Sequence, residues 1–169
     1  LAGVATADRE SVSAVVRAGH ALFNRIAALP FPTVALIDGA CMGGGTELAL
    51  ALDERLLSSA PHTTMALPEV KIGLIPAWGG TQRLPRLVGL HHAIETITSG
   101  ESIDPRKAVA IGLAFDAVPQ DRLLDEGRRV IAMLREGDLW RRRREARSGP
   151  VAVSPDELAF TGAVAKGAV

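Results

Sequence analysis

The sequence predicts an α/β protein, and three adjacent observations carry that reading. The run Thr33-Val34-Ala35-Leu36-Ile37 is short, apolar and β-branched, bounded by Pro32 and Gly39, which predicts a strand buried on both faces and central in a sheet. The triplet Gly43-Gly44-Gly45 follows at once. After it, Glu47-Leu48-Ala49-Leu50-Ala51-Leu52 reads as a nearly all-apolar, fully buried helix. A length of 169 residues suits one domain with a sizeable core. The 17 Gly and 10 Pro, set against four Phe, two Trp and no Tyr, describe an aliphatic core with many tight turns.

The remaining elements follow in order. Thr6 or Asp8 can cap a helix that carries Val12, Val15, Val16, Leu22, Phe23 and Ile26 on one face and ends before Pro30. Between Asp53 and Pro85, repeated Pro and Gly predict mostly loops and short strands. A helix is expected from His91 to Ser99, stopped by Gly100. Asp104-Pro105 supplies a cap and first-turn proline for a short helix ended by Gly112. Leu113 to Val118 reads as a strand, and Asp121 to Arg147 as charged helix hinged at Gly137. Ser148-Gly149-Pro150 is a linker, and Ser154-Pro155-Asp156-Glu157 is a capping box opening the last helix.

Charge and cysteine content exclude several classes. Nineteen Lys+Arg balance nineteen Asp+Glu, so the broad positive field that nucleic-acid and anionic-membrane binders use is missing. One cysteine allows no internal disulfide, no Cys/His ligand spacing occurs, and no run of eighteen or more apolar residues is found. A cytoplasmic, reducing compartment is expected.

The glycine triplet is the most informative local feature. Bare backbone at a strand-to-helix junction lets N–H groups face an anion, and the helix terminus adds partial positive charge. No Lys-Ser/Thr follows Gly45, and the spacing does not make a dinucleotide fingerprint. Two uses stay open: an oxyanion site, or close helix–strand packing. Glu47 either complements the helix dipole or is a partly buried carboxylate kept for chemistry. Glu69 alone reads as a solvated loop acid; converging with Glu47 it would complete a proton-shuttling pair. Trp78, between Pro76 and Gly79, walls a pocket or simply packs. Cys41 reads as a small buried thiol. His91 and His92 point about 100° apart on a helix, which makes a poor metal pair and favours surface histidines. Trp140-Arg141-Arg142-Arg143-Arg144 reads as a solvated helix face or an interdomain contact.

Taken together, the stretch from Pro32 to Asp53 and Leu67-Pro68-Glu69-Val70-Lys71-Ile72-Gly73-Leu74-Ile75-Pro76 resemble the enoyl-CoA hydratase/isomerase (crotonase) superfamily. Gly79-Gly80-Thr81-Gln82-Arg83-Leu84-Pro85-Arg86-Leu87-Val88-Gly89 extends the match, and it continues through Ala108 to Val118. The tail from Glu157 to Gly167 resembles the connecting region of multifunctional fatty-acid oxidation proteins.

The resemblance implies a spiral of ββα turns with C-terminal helices and with the N-terminal strands missing from this chain. Residues 1–118 would be the C-terminal part of the core, 119–147 a helical region, and 148–169 a linker and helix leading towards a further domain. Glu47 and Glu69 match the paired acids that hold and activate water, and Gly44 matches one of two oxyanion donors to a thioester carbonyl. Pro68, Leu74, Pro76, Trp78 and Gly79 would contact substrate. The implied activity is enoyl-CoA hydratase, a hydro-lyase of fatty-acid β-oxidation; a 3,2-enoyl-CoA isomerase and a truncated, non-catalytic binding module are the alternatives. No metal or cofactor is implied, coenzyme A being part of the substrate. A trimer-based homo-oligomer, or a place in a multifunctional complex with hydroxyacyl-CoA dehydrogenase, is expected. Two departures stand out. The segment with the second oxyanion donor would lie upstream of Leu1, and Ala77-Trp78 stands where many members have Pro-Gly and a small residue.

Overall fold

A computed structural model describes residues 8–151 and 153–167. Helix α1 (Arg9–Ala27) leads to strands β1 (Val34–Ile37) and β2 (Ala40–Met42) and helix α2 (Gly44–Ala51). Strands β3 (Glu54–Ser58) and β4 (Thr64–Ala66), a 3-10 turn over Pro68–Ile72 and helix α3 (Gly80–Ser99) repeat that order. Helix α4 (Pro105–Ala110), strand β5 (Asp116–Val118) and helices α5 (Leu123–Arg135), α6 (Leu139–Ser148) and α7 (Pro155–Gly167) complete the chain.

Two successive ββα turns are therefore laid one on the next. β1 pairs in parallel with β3, Val34 opposite Glu54, while β2 pairs in parallel with β4, Cys41 opposite Met65. β5 adds to the other side of β3, Leu56 opposite Asp116, giving the sheet order β1-β3-β5. This is the α/β spiral that the resemblance implies. Caps fall where the sequence puts them: Asp8 accepts from the Ser11 N–H, Asp104 from that of Lys107, and Ser154 Oγ from that of Glu157. Thr6, the alternative first cap, lies outside the described residues. Gly137, at φ 53°, separates α5 from α6.

Several expectations are corrected. Among the described residues β1 lies at the edge of its sheet with Leu36 exposed, and the central, wholly buried strand is β3. Its first residues, Glu54 and Arg55, disguise it in the sequence; both are buried because arginines and backbone carbonyls satisfy them. The stretch after Asp53 thus holds β3, β4 and the start of α3. That helix begins at Gly80 rather than His91, carries Pro85 inside and breaks at Gly89 (φ 81°, ψ 166°). Helix α2 is not fully buried: Ala49 is 4% exposed but Leu48 39%. On α1 only Phe23 is buried, and Val12, Val15 and Leu22 face outward. The strand expected over Leu113–Val118 shortens to Asp116–Val118.

The main core joins Ile37, Leu50, Leu57, Met65, Leu67, Leu84 and Leu113 between the sheets and α2–α4. A second cluster gathers Leu56, Val130, Leu134 and Trp140 under α5 and α6. Arg55 is fully buried, donating to Leu113 O at 2.7 Å and to Leu52 O at 3.0 Å. Burial brings its pKa down to about 10, against the pull of Glu54. The arginine run is neither free nor solvated throughout. Arg144 forks onto Asp53 at 2.6 and 2.7 Å, and Arg143 and Arg147 both reach Glu54. No helix among the described residues is long and apolar enough to cross a membrane.

Candidate active site

The N-terminus of α2 and the loop before α3 meet around Glu47. Thr46 fixes the helix start by donating its hydroxyl to Cys41 O at 2.7 Å and Ala66 O at 2.8 Å, tying α2 to β2 and β4. The next residue, Glu47, is 2% exposed, and its Oε1 accepts from the backbone N–H of Trp78 and of Gly80, each at 2.8 Å. Oε2 accepts none of the hydrogen bonds formed among the described residues. A buried carboxylate held by two amides on one oxygen has a fixed orientation, so its second oxygen presents an acceptor in a set direction.

Glu69 comes to the same place from the 3-10 turn. A Cβ built on Gly43 would lie 3.0 Å from Glu69 Oε1, so the second carboxylate sits directly against the glycine turn. Its Oε2 is buried and has no hydrogen-bond partner among the described residues. Loss of hydration raises the Glu69 pKa above the ordinary carboxylate value, and the nearby charge of Glu47 raises it further. The two acids that the sequence left unconnected are thus electrostatic neighbours.

The glycines are explained one by one. Gly43 has φ 53°, a left-handed conformation that side chains rarely adopt, and it faces Glu69. A Cβ on Gly44 would lie 2.7 Å from Trp78 Cζ3, so the indole packs on bare backbone there. Gly45 meets nothing closer than Cys41 Sγ at 3.9 Å. The Gly43 N–H is used on Ala66 O at 2.9 Å, whereas the Gly44 N–H makes none of the hydrogen bonds formed among the described residues. Gly44 thus packs on a loop indole rather than on a strand, and its amide is uncommitted among the described residues.

Trp78 also crosses the Phe23 ring edge-on at 5.7 Å and lies against Gly19 of α1. Pro76 and Gly79 are buried, Pro68 and Trp78 half-buried, and Leu74 is exposed. Cys41 is half-buried, and burial pushes its thiol pKa up, which suits a packing role.

Arg83 is a residue that sequence reasoning passed over. Its Nη1 donates to Trp78 O at 3.0 Å and its Nη2 to Asn24 Oδ1 at 2.7 Å, so it clamps the loop that holds Glu47 to helix α1. Burial lowers its pKa and the charge of Glu47 opposes that shift. Its place within the Gly79–Gly89 run was visible, but its contact with Asn24, on a helix far back in the chain, was not.

The histidines depart from expectation. His91 and His92 are half-buried with ring centroids 5.4 Å apart, and donor atoms of His91, His92 and Glu95 lie within 4.8 Å of one another. Lys107 Nζ already binds Glu95 at 3.2 Å, matching its charge.

Comparison with known proteins gives the family and the fold. The family model described as enoyl-CoA hydratase/isomerase matches residues 4–140. The fatty acid oxidation complex subunit alpha of Shewanella halifaxensis is 52% identical over 106 residues, which is 63% of this chain and 15% of that protein. An enoyl-CoA hydratase structure from Bacillus anthracis superposes with TM-score 0.75 at 31% identity, covering 98% of this chain and 64% of that one. A related structure from Geobacillus kaustophilus gives TM-score 0.77 at 27% identity, covering 96% and 61%. The chain thus spans a small part of the curated relative and under two thirds of these solved chains.

Proposed function

The chain belongs to the enoyl-CoA hydratase/isomerase family, and on that premise we propose that it carries the water-adding site of an enoyl-CoA hydratase, acting on 2-trans-enoyl thioesters of coenzyme A. The observation that carries the reading is the pairing of a buried, amide-held Glu47 with a Glu69 whose pKa is raised by burial and by Glu47 itself. One acid of such a pair takes a proton and the other gives one.

In the proposed reaction a water molecule sits between the two carboxyl groups. Glu47 takes a proton from it as the water oxygen bonds to C3 of the substrate. The C2–C3 π electrons move into the thioester, making an enolate whose oxygen is met by the Gly44 N–H. Glu69, protonated, gives its proton to C2 and is left as carboxylate; proton exchange through the next water restores both acids. Fixed amide dipoles stabilise the enolate without the reorganisation that bulk water would need, and one such donor is worth about 2.7–4 kcal/mol. Trp78, Pro68, Leu74, Pro76 and Gly79 are assigned to the acyl side of the site, and coenzyme A enters only as part of the substrate.

The likeness to a fatty acid oxidation complex subunit alpha extends the proposal to fatty-acid oxidation within a larger assembly. The test is to incubate the full-length protein with a 2-trans-enoyl-CoA and separately with its 3-enoyl isomer. Formation of the 3-hydroxyacyl thioester from the first supports hydration. Conversion of the 3-enoyl to the 2-enoyl thioester without hydration would replace the proposal with an isomerase.

A further inference from the structure

The chain as a whole is charge-balanced, with 19 cationic and 19 acidic side chains, but its arginines are not spread evenly. A cavity of about 240 Å³ is lined by neither Glu47 nor Glu69; Arg55, Arg83, Arg86, Arg144 and Arg147 border it against one carboxylate, Asp53. That carboxylate is fully engaged: Arg144 forks onto it, and Thr33 donates its N–H and hydroxyl at 2.8 and 2.9 Å. Arg55 and Arg147 are matched by Glu54, each at 3.3 Å. Arg83 and Arg86 form no ion pair among the described residues.

These same two arginines, three residues apart on α3, also wall a second cavity of about 310 Å³, completed by His20 and Asn24 of α1 and by Gly79 and Gln82. No acid lines it. Arg83 spends Nη1 and Nη2 on Trp78 O and Asn24 Oδ1, and Arg86 spends Nε and Nη1 on Gly149 O and Gln82 O, at 3.1 and 2.7 Å. Arg83 Nε and Arg86 Nη2 make none of the hydrogen bonds formed among the described residues. Both arginines are half-buried, which reduces the screening of their charges, and the first turn of α3 adds its dipole. Arginines that form no ion pair and line a water-accessible cavity free of acids attract an anion; the uncommitted Arg83 Nε and Arg86 Nη2, with an imidazole beside them, suit a tetrahedral oxyanion.

We infer that the cavity between α1 and the start of α3 is a phosphate-binding site, with Arg83 and Arg86 as its charged donors and His20 and Gln82 as neighbours. The ligand is a phosphate group, free or carried on a nucleotide. The cavity touches neither acid, and of the residues assigned to the substrate site it includes only Gly79.

The test is calorimetric titration of the full-length protein with sodium phosphate and with adenosine monophosphate, at constant ionic strength held by chloride. The result expected is one phosphate site, weakened about tenfold or more in Arg86→Gln, the loss of a charge-assisted contact. Gln82→Glu is the companion variant: Gln82 is exposed and its Oε1 lies 3.5 Å from Arg86 Nη1, so a carboxylate there fills the site from within. It should abolish phosphate binding while raising the melting temperature. Tighter binding of the nucleotide assigns the phosphate to a nucleotide, and equal binding assigns it to the free ion. Heats no larger than those of chloride, or binding unchanged in both variants, would overturn the inference.

Discussion

The backbone N–H of Trp78 lies 2.8 Å from Oε1 of Glu47, so the loop that places an indole over Gly44 also fixes the buried acid. The partner amide of Gly80 is buried, and removing its acceptor leaves it without one. Glu47→Ala is therefore expected to cost about 1–3 kcal/mol of stability, while Glu47→Gln, which keeps an oxygen acceptor, should cost less. Denaturant melts of the two variants check the order; equal stability would mean that the loop does not depend on this carboxylate.

The raised pKa of Glu69 makes a prediction about pH. In the folded chain this carboxyl stays protonated above the ordinary carboxylate value, so between that value and its raised one the folded state binds more protons than the unfolded. Stability contributed by Glu69 is present below that window and is lost as pH rises through it. Glu69→Gln should thus melt at a higher temperature than the wild type at neutral pH, with the gap closing in acid. A variant that melts lower at neutral pH would contradict the assignment.

Gly19 lies on α1, where alanine ordinarily stabilises a helix by about 1 kcal/mol. Here a Cβ would fall on Trp78 Cδ1 and Nε1. Gly19→Ala is expected to destabilise instead and to displace the indole from Gly44. Near-ultraviolet circular dichroism would register the move; an unchanged spectrum with a higher melting temperature would show that the indole packs elsewhere.

Arg144 and Asp53 join α6 to the turn between α2 and β3 through a fork of two bonds. Asp53 is almost wholly buried, so Arg144→Ala strands a charge and should cost about 3–5 kcal/mol. Arg144→Lys keeps the charge but loses the fork, and its melting temperature should fall between the two. A loss within a few tenths of a kcal/mol for the alanine variant would make the pair a solvated one.

How far the sequence carried this picture depends on whether a feature is local. The glycine turn, the helix it opens, the caps at Asp8, Asp104 and Ser154 and the hinge at Gly137 are set by neighbours in sequence, and each was legible. β3 was not singled out among the short strands expected after Asp53 because Glu54 and Arg55 look like surface residues; their burial is made tolerable by arginines of α6, far along the chain, which pair Glu54, and by backbone carbonyls, which accept from Arg55. The site divides the same way. Glu47, Glu69 and Gly44 could be named, but their convergence rests on parallel pairing of β2 with β4, and the clamp of Arg83 on Trp78 and Asn24 rests on tertiary contact alone.

The central claim is that Glu47 and Glu69 act on one water. A double-mutant cycle on the full-length protein tests it most directly, measuring turnover of a 2-trans-enoyl-CoA by the wild type, Glu47→Gln, Glu69→Gln and the double variant. Two groups serving one proton-transfer event should each cost on the order of a hundredfold or more in kcat with little change in KM, and the double variant should be scarcely slower than the worse single one. Wild-type turnover in either single variant, or losses that simply multiply in the double, would contradict a shared water.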